Sequence, residues 1–271
     1  MLDASRRWRR EGRSIGLVPT MGALHAGHLS LVERARREND VVVVSVFVNP
    51  IQFGPGEDFE RYPRDFDRDS ELLAMSGADA IYRPSVDAMY PPGATTRVRV
   101  HGVAEPLEGL TRPGHFEGVA TVVTKLFGAV QPDRAYFGQK DAQQVAVVKR
   151  LTRDLDLGVE IVAAPTVREP DGLALSSRNA YLGPDERKAA ASLGAALRSA
   201  AEAYASGERD PAALRAKLRA RLDAEPLVSV DYAEVVDPET FRPPGRLAVI
   251  AARLGRTRLI DNHDLKEPFP A

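Results

Sequence analysis

Ser14-Ile15-Gly16-Leu17-Val18-Pro19-Thr20-Met21-Gly22-Ala23-Leu24-His25-Ala26-Gly27-His28-Leu29-Ser30-Leu31-Val32-Glu33-Arg34-Ala35-Arg36-Arg37 is the stretch on which the reading of this chain turns. Its first residues, Ser14 to Pro19, predict a short buried strand. Leu29 to Arg37 predicts a helix, with Leu29, Val32 and Ala35 on one face. Val41 to Val48 follows, an almost unbroken β-branched run of the kind found in strands buried on both faces. His25 and His28 therefore fall where a first strand turns into a first helix. In open parallel sheets such turns bind ligands, because the N–H groups at the helix start point outward and favour anions. Two imidazoles at that turn suggest a phosphate on which chemistry takes place.

Working outward, Asn49 to Gly56 is a Pro- and Gly-containing loop. A helix is expected from Asp65 to Met75, a short strand at Ala80 to Tyr82, and an edge strand or extended loop from Arg97 to Val103. Gly118 to Val130 predicts a helix, Arg134 to Phe137 a strand, Asp141 to about Leu155 a helix and Val159 to Val167 a further strand. A helix also starts around Ser5. Strands and helices alternate up to this point, which predicts a parallel sheet covered on both faces. The pattern then changes. Asp185 to Tyr204 and Pro211 to Leu222 predict helices, the first with Pro184 at its start and Gly207 after its end. Val228 to Val236, Arg246 to Ala252 and Arg256 to Ile260 predict three strands with no helices between them. The fold class is therefore α/β, with a smaller α+β domain after a boundary near residues 176 to 184.

Composition narrows the function classes. The 271 residues carry a net charge of -1, which gives no whole-protein electrostatic basis for nucleic-acid binding. The arginines of the first ten residues read as a solvated helix face. Cysteine is absent, so disulfides and thiolate metal sites are excluded, and a reducing compartment fits. No apolar stretch approaches the roughly 20 residues that span a bilayer.

Four segments carry candidate chemistry. His25 and His28 read either as phosphate-binding groups or as a metal pair or two structural histidines, and Gly22 and Gly27 let a backbone approach a ligand closely. Phe137-Gly138-Gln139-Lys140-Asp141-Ala142-Gln143-Gln144 again follows a strand and opens a helix. Lys140 offers a point charge for phosphate, Asp141 a cap or a ribose acceptor, and Gln144 lies one turn beyond Lys140. The alternative is a capped helix with a solvated lysine. Asp171-Gly172-Leu173-Ala174-Leu175-Ser176-Ser177-Arg178-Asn179 offers two hydroxyls and a guanidinium for a triphosphate, or an ordinary loop with a serine cap. Asn49 to Phe53 could present Gln52 to a small polar substrate, or be a plain loop.

These segments, in this order and spacing, resemble the pantoate–β-alanine ligase family. The resemblance rests on Pro19 to His28, Phe47-Val48-Asn49-Pro50-Ile51-Gln52-Phe53, Arg112-Pro113-Gly114-His115-Phe116, Phe137 to Asp141 with Gln143-Gln144, and Asp171 to Asn179. Ala251 to Gly255 and Arg258-Leu259-Ile260-Asp261-Asn262 extend it to nearly the whole chain. It implies a Rossmann-like parallel-sheet domain over residues 1–178 and a small α+β lid domain over 179–271, in a cytoplasmic homodimer. It implies that (R)-pantoate, β-alanine and ATP give pantothenate, AMP and pyrophosphate, with Mg2+ required and a pantoyl adenylate formed first. Catalytic roles fall to His28, His25 and Lys140. ATP binding falls to Pro19, Met21, Gly22, His25, Gly27, His28, Gly138, Gln139, Lys140, Asp141, Val167, Leu175, Ser176, Ser177 and Arg178, and pantoate or β-alanine binding to Gln52 and Gln144. The magnesium ligands stay open among Asp58, Asp65, Asp67 and Asp69, or among phosphates and water. The sequence departs from the family's usual residues at Gln139, commonly Glu, and at Leu175, commonly Met. Members also usually carry an extended segment before the helix near Ser5. Two other readings compete: another adenylyltransferase with the same His-x-Gly-His element, whose phosphate-bearing acceptor calls for Arg or Lys, and a nucleotide-binding regulatory module without catalysis.

Overall fold

A computed structural model describes residues 1–270. The chain forms two compact units. One comprises Met1–Gly138 with Gln143–Ala164, and the other Gln139–Ala142 with the chain from Pro165 onward. The division falls after Ala164, earlier than the boundary expected at 178/179.

The first unit begins with α1 (Leu2–Arg10) and then alternates β1 (Ile15–Thr20), α2 (Ala26–Glu38), β2 (Val41–Val46), α3 (Phe66–Met75) and β3 (Ala80–Tyr82). Two single turns, α4 (Val86–Met89) and α5 (Glu108–Thr111), precede α6 (His115–Val130), β4 (Arg134–Gly138), α7 (Ala142–Asp154) and β5 (Glu160–Ala164). The sheet is parallel, in the order β3-β2-β1-β4-β5. The chain thus winds outward from β1 in one direction, returns beside it and winds outward in the other, the topology whose reversal point binds ligands.

Side-chain alternation fills both faces. Ile15, Leu17, Val41, Val43, Ala135 and Phe137 pack with Val119, Val123 and Leu126 of α6 and with Val145, Val148 and Leu151 of α7. Val18, Val42, Val44, Val46 and Tyr136 pack with Leu31, Val32 and Ala35 of α2 and Leu73 of α3. β5 is shorter than the expected Val159 to Val167, because Pro165 has no N–H to continue a ladder. Arg97 to Val103 forms no regular element. The hydroxyl of Thr121 instead accepts its Val98 N–H, at 3.0 Å. Helices α2 and α6 begin earlier than expected, at Ala26 and His115, which places both histidine motifs in first turns.

The second unit carries α8 (Pro184–Ala205), α9 (Pro211–Asp223) and an antiparallel sheet of β6 (Val228–Val236), β7 (Leu247–Leu254) and β8 (Thr257–Asp264), in that order. Leu193, Leu197 and the alanines of α8 face Leu214, Leu218 and Leu222 of α9 and the inner residues of β7. The parallel α/β unit and the small α+β unit are those the alternation and its loss predict.

One close approach ties β1 to its surroundings. Asn39 donates to Ala35 O at 2.8 Å and to the Tyr136 hydroxyl at 2.6 Å, and that hydroxyl donates to Glu38 at 2.9 Å. A Cβ on Gly16 would lie 2.6 Å from Asn39 Nδ2. The carboxamide is held from two sides and cannot retreat. Gly16→Ala is therefore expected to destabilise the protein by about 1–3 kcal/mol, measured by urea unfolding.

Candidate active site

Hydrogen-bond parity explains how β1 opens the site. Ser14 O and Thr20 O accept from Val41 and Phe47 on the β2 side, whereas Ile15 O accepts from Asp133 on the β4 side. Odd positions of β1 therefore face β4, and Pro19 is one of them. It has no N–H to offer, and the registered pairing of β1 with β4 ends at Leu17 and Ala135. Pairing with β2 continues to Thr20.

Beyond β1 the chain makes a tight turn, with Gly22 at φ 81° and Ala23 at φ 51°. Thr20 pins its entry, donating to Ser45 O at 2.7 Å and accepting from Gly22 N at 3.2 Å. Asp69 of α3 pins its exit. Its two carboxylate oxygens accept from Ala23 N at 2.9 Å and Leu24 N at 2.8 Å. Asp69 is 1% exposed. Of the four carboxylates left open for magnesium, this one has both oxygens engaged by backbone, and Asp65 caps α3 by accepting from Arg68 N.

His25 is the N-cap of α2. Its backbone is extended, and Nδ1 accepts from Gly27 N at 3.2 Å, which puts the proton of the neutral ring on Nε2. Histidine is not among the usual N-cap residues, so nothing in the sequence marks that capping role. The His28 ring lies 4.1 Å from that of His25, centroid to centroid. Both rings are half-buried. The motif thus joins two adjacent, mutually tilted imidazoles to a helix start, an arrangement suited to an anion.

A second part of the first unit is a network of neutral polar groups. Gln52, 8% exposed, closes a 3₁₀ turn over Pro50–Gln52. Its oxygen accepts from Asn49 Nδ2 at 3.0 Å, and its nitrogen points at the Met21 sulfur, 3.2 Å away. Asn49 also donates to Gly118 O and accepts from the Tyr90 hydroxyl. Below Gln52 lies His115. Arg112 donates to its Nε2 at 3.0 Å, so the neutral ring carries its proton on Nδ1 and donates to Gln52 O at 2.9 Å. Arg112 is itself held by Glu57 through two bonds of 2.7 Å. Burial, and next the Arg112 charge, push the His115 pKa down to about 4. Burial raises the Glu57 carboxyl, but Arg112 outweighs it and the net shift is downward. Gly118 permits the packing, since a Cβ there would sit 2.5 Å from Ile51 O.

The glutamine pair of α7 divides. Gln144 is half-buried. Gln143 is buried and staples a loop, donating to Val103 O and Pro106 O and accepting from Glu108 N. Its carboxamide is structural, so it does not belong with Gln52 and Gln144 as a polar group offered to substrate.

The second unit holds the other predicted residues. A 3₁₀ turn over Gln139–Asp141 follows Gly138, and the Lys140 ammonium lies 3.6 Å from Asp141. Val167 and Leu175 are brought together across a tight loop by a bond from Leu175 N to Val167 O at 2.9 Å. The tip of that loop, Gly172 at φ 90°, packs on α8 where a Cβ on Gly194 would meet Gly172 O at 2.5 Å. Ser176 caps the 3₁₀ turn Ser177–Tyr181 by accepting from Arg178 N.

The model of the pantoate-beta-alanine ligase family matches residues 1–264. The chain belongs to the pantoate-beta-alanine ligase family. Among relatives, the pantothenate synthetase of Moorella thermoacetica is 54% identical over 259 residues, covering 94% of this chain and 92% of the relative. That of Roseiflexus sp. RS-1 is 58% identical over 252 residues, covering 91% of each. Among solved structures, pantothenate synthetase from Thermus thermophilus superposes with a TM-score of 0.91 at 53% identity, covering 93% of both chains. Pantoate-beta-alanine ligase from Francisella tularensis, complexed with beta-gamma ATP and beta-alanine, gives 0.81 at 34% identity, covering 98% of this chain and 96% of that one.

Asp69, one of the carboxylates open for magnesium, instead holds the turn after β1, and Asn49, Tyr90, Arg112 and His115 join the candidate site with no role assigned to them from the sequence. Only the Arg-x-x-His spacing at a helix start hinted at one. The buried, neutral His115 has a thermodynamic consequence. Its folded pKa lies below its unfolded value of about 6.5, so its contribution is complete above that pH. It is lost as pH falls toward 4, because the unfolded chain binds the proton first. Between pH 7 and pH 5 the parent is expected to lose about 2 kcal/mol more stability than His115→Gln, measured by urea unfolding; the other titrating groups cancel in the difference.

Proposed function

We propose that this chain condenses (R)-pantoate with β-alanine, using ATP and releasing AMP and pyrophosphate, through a pantoyl adenylate. The observation that carries the reading is the adjacent His25–His28 pair at the start of α2, rings 4.1 Å apart, in a chain 54–58% identical to pantothenate synthetases. In the first step the pantoate carboxylate attacks the α-phosphorus of ATP and pyrophosphate leaves. In the second the β-alanine amine attacks the pantoyl carbonyl and AMP leaves. The barrier to the first step is the charge gathered at phosphorus, so fixed donors around it are the main resource. His28 and His25 take the α-phosphate and the leaving oxygen, with His28 as proton donor. Lys140 neutralises phosphate charge, and Ser176, Ser177 and Arg178 take the β- and γ-phosphates. Pro19, Met21, Gly22, Gly27, Gly138, Gln139, Asp141, Val167 and Leu175 frame the nucleotide.

Gln52 and Gln144 hydrogen-bond pantoate. The network behind Gln52 favours this acid over the phosphate-bearing acceptor of a related adenylyltransferase. Its polar groups are amides, a phenol and a neutral imidazole, and its cation, Arg112, is engaged bidentately by Glu57. ATP enters with its magnesium, as substrate. Among the described residues no group of three or more His, Asp or Glu side chains converges to form a metal cage, which supports a cation held by phosphates and water. The reading includes a homodimer, to be checked by light scattering, and a cytoplasmic location. No helix of the described residues is long and apolar enough to cross a membrane.

His28→Ala is expected to lower turnover about 10²–10³-fold, the range for deleting one donor to a developing charge. Near-parental steady-state turnover would remove His28 from the mechanism. The route itself is tested by pyrophosphate–ATP exchange, expected with pantoate alone and without β-alanine. Exchange that requires the amine would exclude a free-standing adenylate step.

A further inference from the structure

The Lys140 turn interrupts two elements of the parallel sheet unit, β4 before it and α7 after it, yet Gln139–Ala142 clusters with the second unit. The reason lies on β8. Asn262 is 5% exposed, and its carboxamide nitrogen donates to two successive main-chain carbonyls, Gln139 O at 2.9 Å and Lys140 O at 2.8 Å. The amide cannot be turned the other way, because that would set its oxygen against two carbonyl oxygens. Asn262 is itself fixed. Its backbone N–H donates to Asp261 at 2.7 Å, and its carbonyl accepts from Arg168 at 3.2 Å. Arg168 and Asp261 form a buried bidentate ion pair with bonds of 2.6 and 3.0 Å. Phe269 lies over that pair, 4.8 Å from the Arg168 guanidinium.

From this geometry we infer that Asn262 is a positioning residue for the ligase reaction: it clamps the backbone that carries Lys140 and so fixes where the ammonium can reach. The inference rests on the phosphate role proposed above for Lys140. A two-bond clamp on consecutive carbonyls leaves the turn no rotation about its own axis, whereas one bond would leave it a hinge. Asn262 touches no substrate in this account; it acts through Lys140 alone.

The experiment is a double-mutant cycle of Asn262→Ala and Lys140→Ala, read by pantoate-dependent pyrophosphate–ATP exchange. Asn262→Ala is expected to lower the exchange rate about 10- to 100-fold, the scale for misplacing a catalytic group by about an ångström. The KM for pantoate should stay within about twofold, whereas general structural damage would move it too. In the Lys140→Ala background the same substitution should cost less than about threefold, because the group it positions is gone. Losses that multiply, or near-parental exchange by Asn262→Ala beside a crippled Lys140→Ala, overturn the clamp and leave the Lys140 role standing. Near-parental exchange by Lys140→Ala overturns both. Should Asn262→Ala fold poorly by its thermal midpoint, Asn262→Ser enters the same cycle. It offers one shorter donor for two carbonyls, and multiplicative losses with Lys140→Ala again overturn the clamp.

Discussion

Pro19 faces β4 without an N–H, and the pairing of β1 with β4 ends two residues earlier. The opening at the histidine turn follows from that parting. A strand that stayed zipped to its neighbour would carry the His-x-Gly-His turn as an ordinary crossover. Once the strand is freed, the turn needs another support, and Asp69 supplies it with charge-assisted bonds to Ala23 N and Leu24 N. The support must be strong, because Ala23 sits at a positive φ that costs an L-residue about 1–2 kcal/mol. Gly22 is required for a second reason. A Cβ there would lie 2.9 Å from the Asp69 oxygen that makes the bond. The carboxylate, the glycine and the strained alanine are thus one device, whose product is a helix start aimed at the opening.

The network behind Gln52 shows how a neutral polar surface is built beside the turn that carries the histidine motif. Arg112 could have served as an anion ligand, but Glu57 grips it with two bonds of 2.7 Å. The remaining side-chain contact of Arg112 is to His115, where burial first, and the guanidinium charge next, keep the imidazole from protonating. The chain from Glu57 through Arg112 and His115 to the Gln52 carbonyl therefore presents only a neutral ring to the Gln52 turn. In the proposed substrate role, a surface of this polarity discriminates by hydrogen-bond geometry, because an unmatched ligand group would leave buried partners unpaired.

Much of this was legible in the sequence, for identifiable reasons. The valine run of β2, the helix around Val123 and the alanine-rich α8 follow from local periodicity, which needs no knowledge of neighbours. The two histidines and Lys140 were legible because each follows a strand and opens a helix. Asp69 was not, because its role depends on bonds to residues 46 and 45 positions away, and in sequence it is one of several acids. Gln143 and Gln144 look equivalent side by side, but a 100° step along α7 sends one into a buried loop. The end of β5 could have been read from Pro165, whose missing N–H is a local fact.

The clamp on the Lys140 turn follows a logic distinct from that of Asp69. In the proposed phosphate role Lys140 gains nothing from tight bonds at its ammonium, since every donor held firmly by protein is one withdrawn from substrate. Its side chain carries about 2 kcal/mol of rotamer entropy that binding must overcome. Any looseness in the backbone beneath would add to that cost. Fixing the carbonyls of Gln139 and Lys140 removes the backbone contribution without tying the ammonium more tightly than its 3.6 Å contact with Asp141. The anchor has to be rigid in turn, and a buried ion pair provides that rigidity more reliably than it provides stability. Replacing such a pair with apolar residues is often neutral, but removing one partner costs about 3–5 kcal/mol. Arg168 and Asp261, 7% and 1% exposed in their side chains, fit that description. Their geometry permits one arrangement of the Asn262 backbone, and hence one position for the turn it holds.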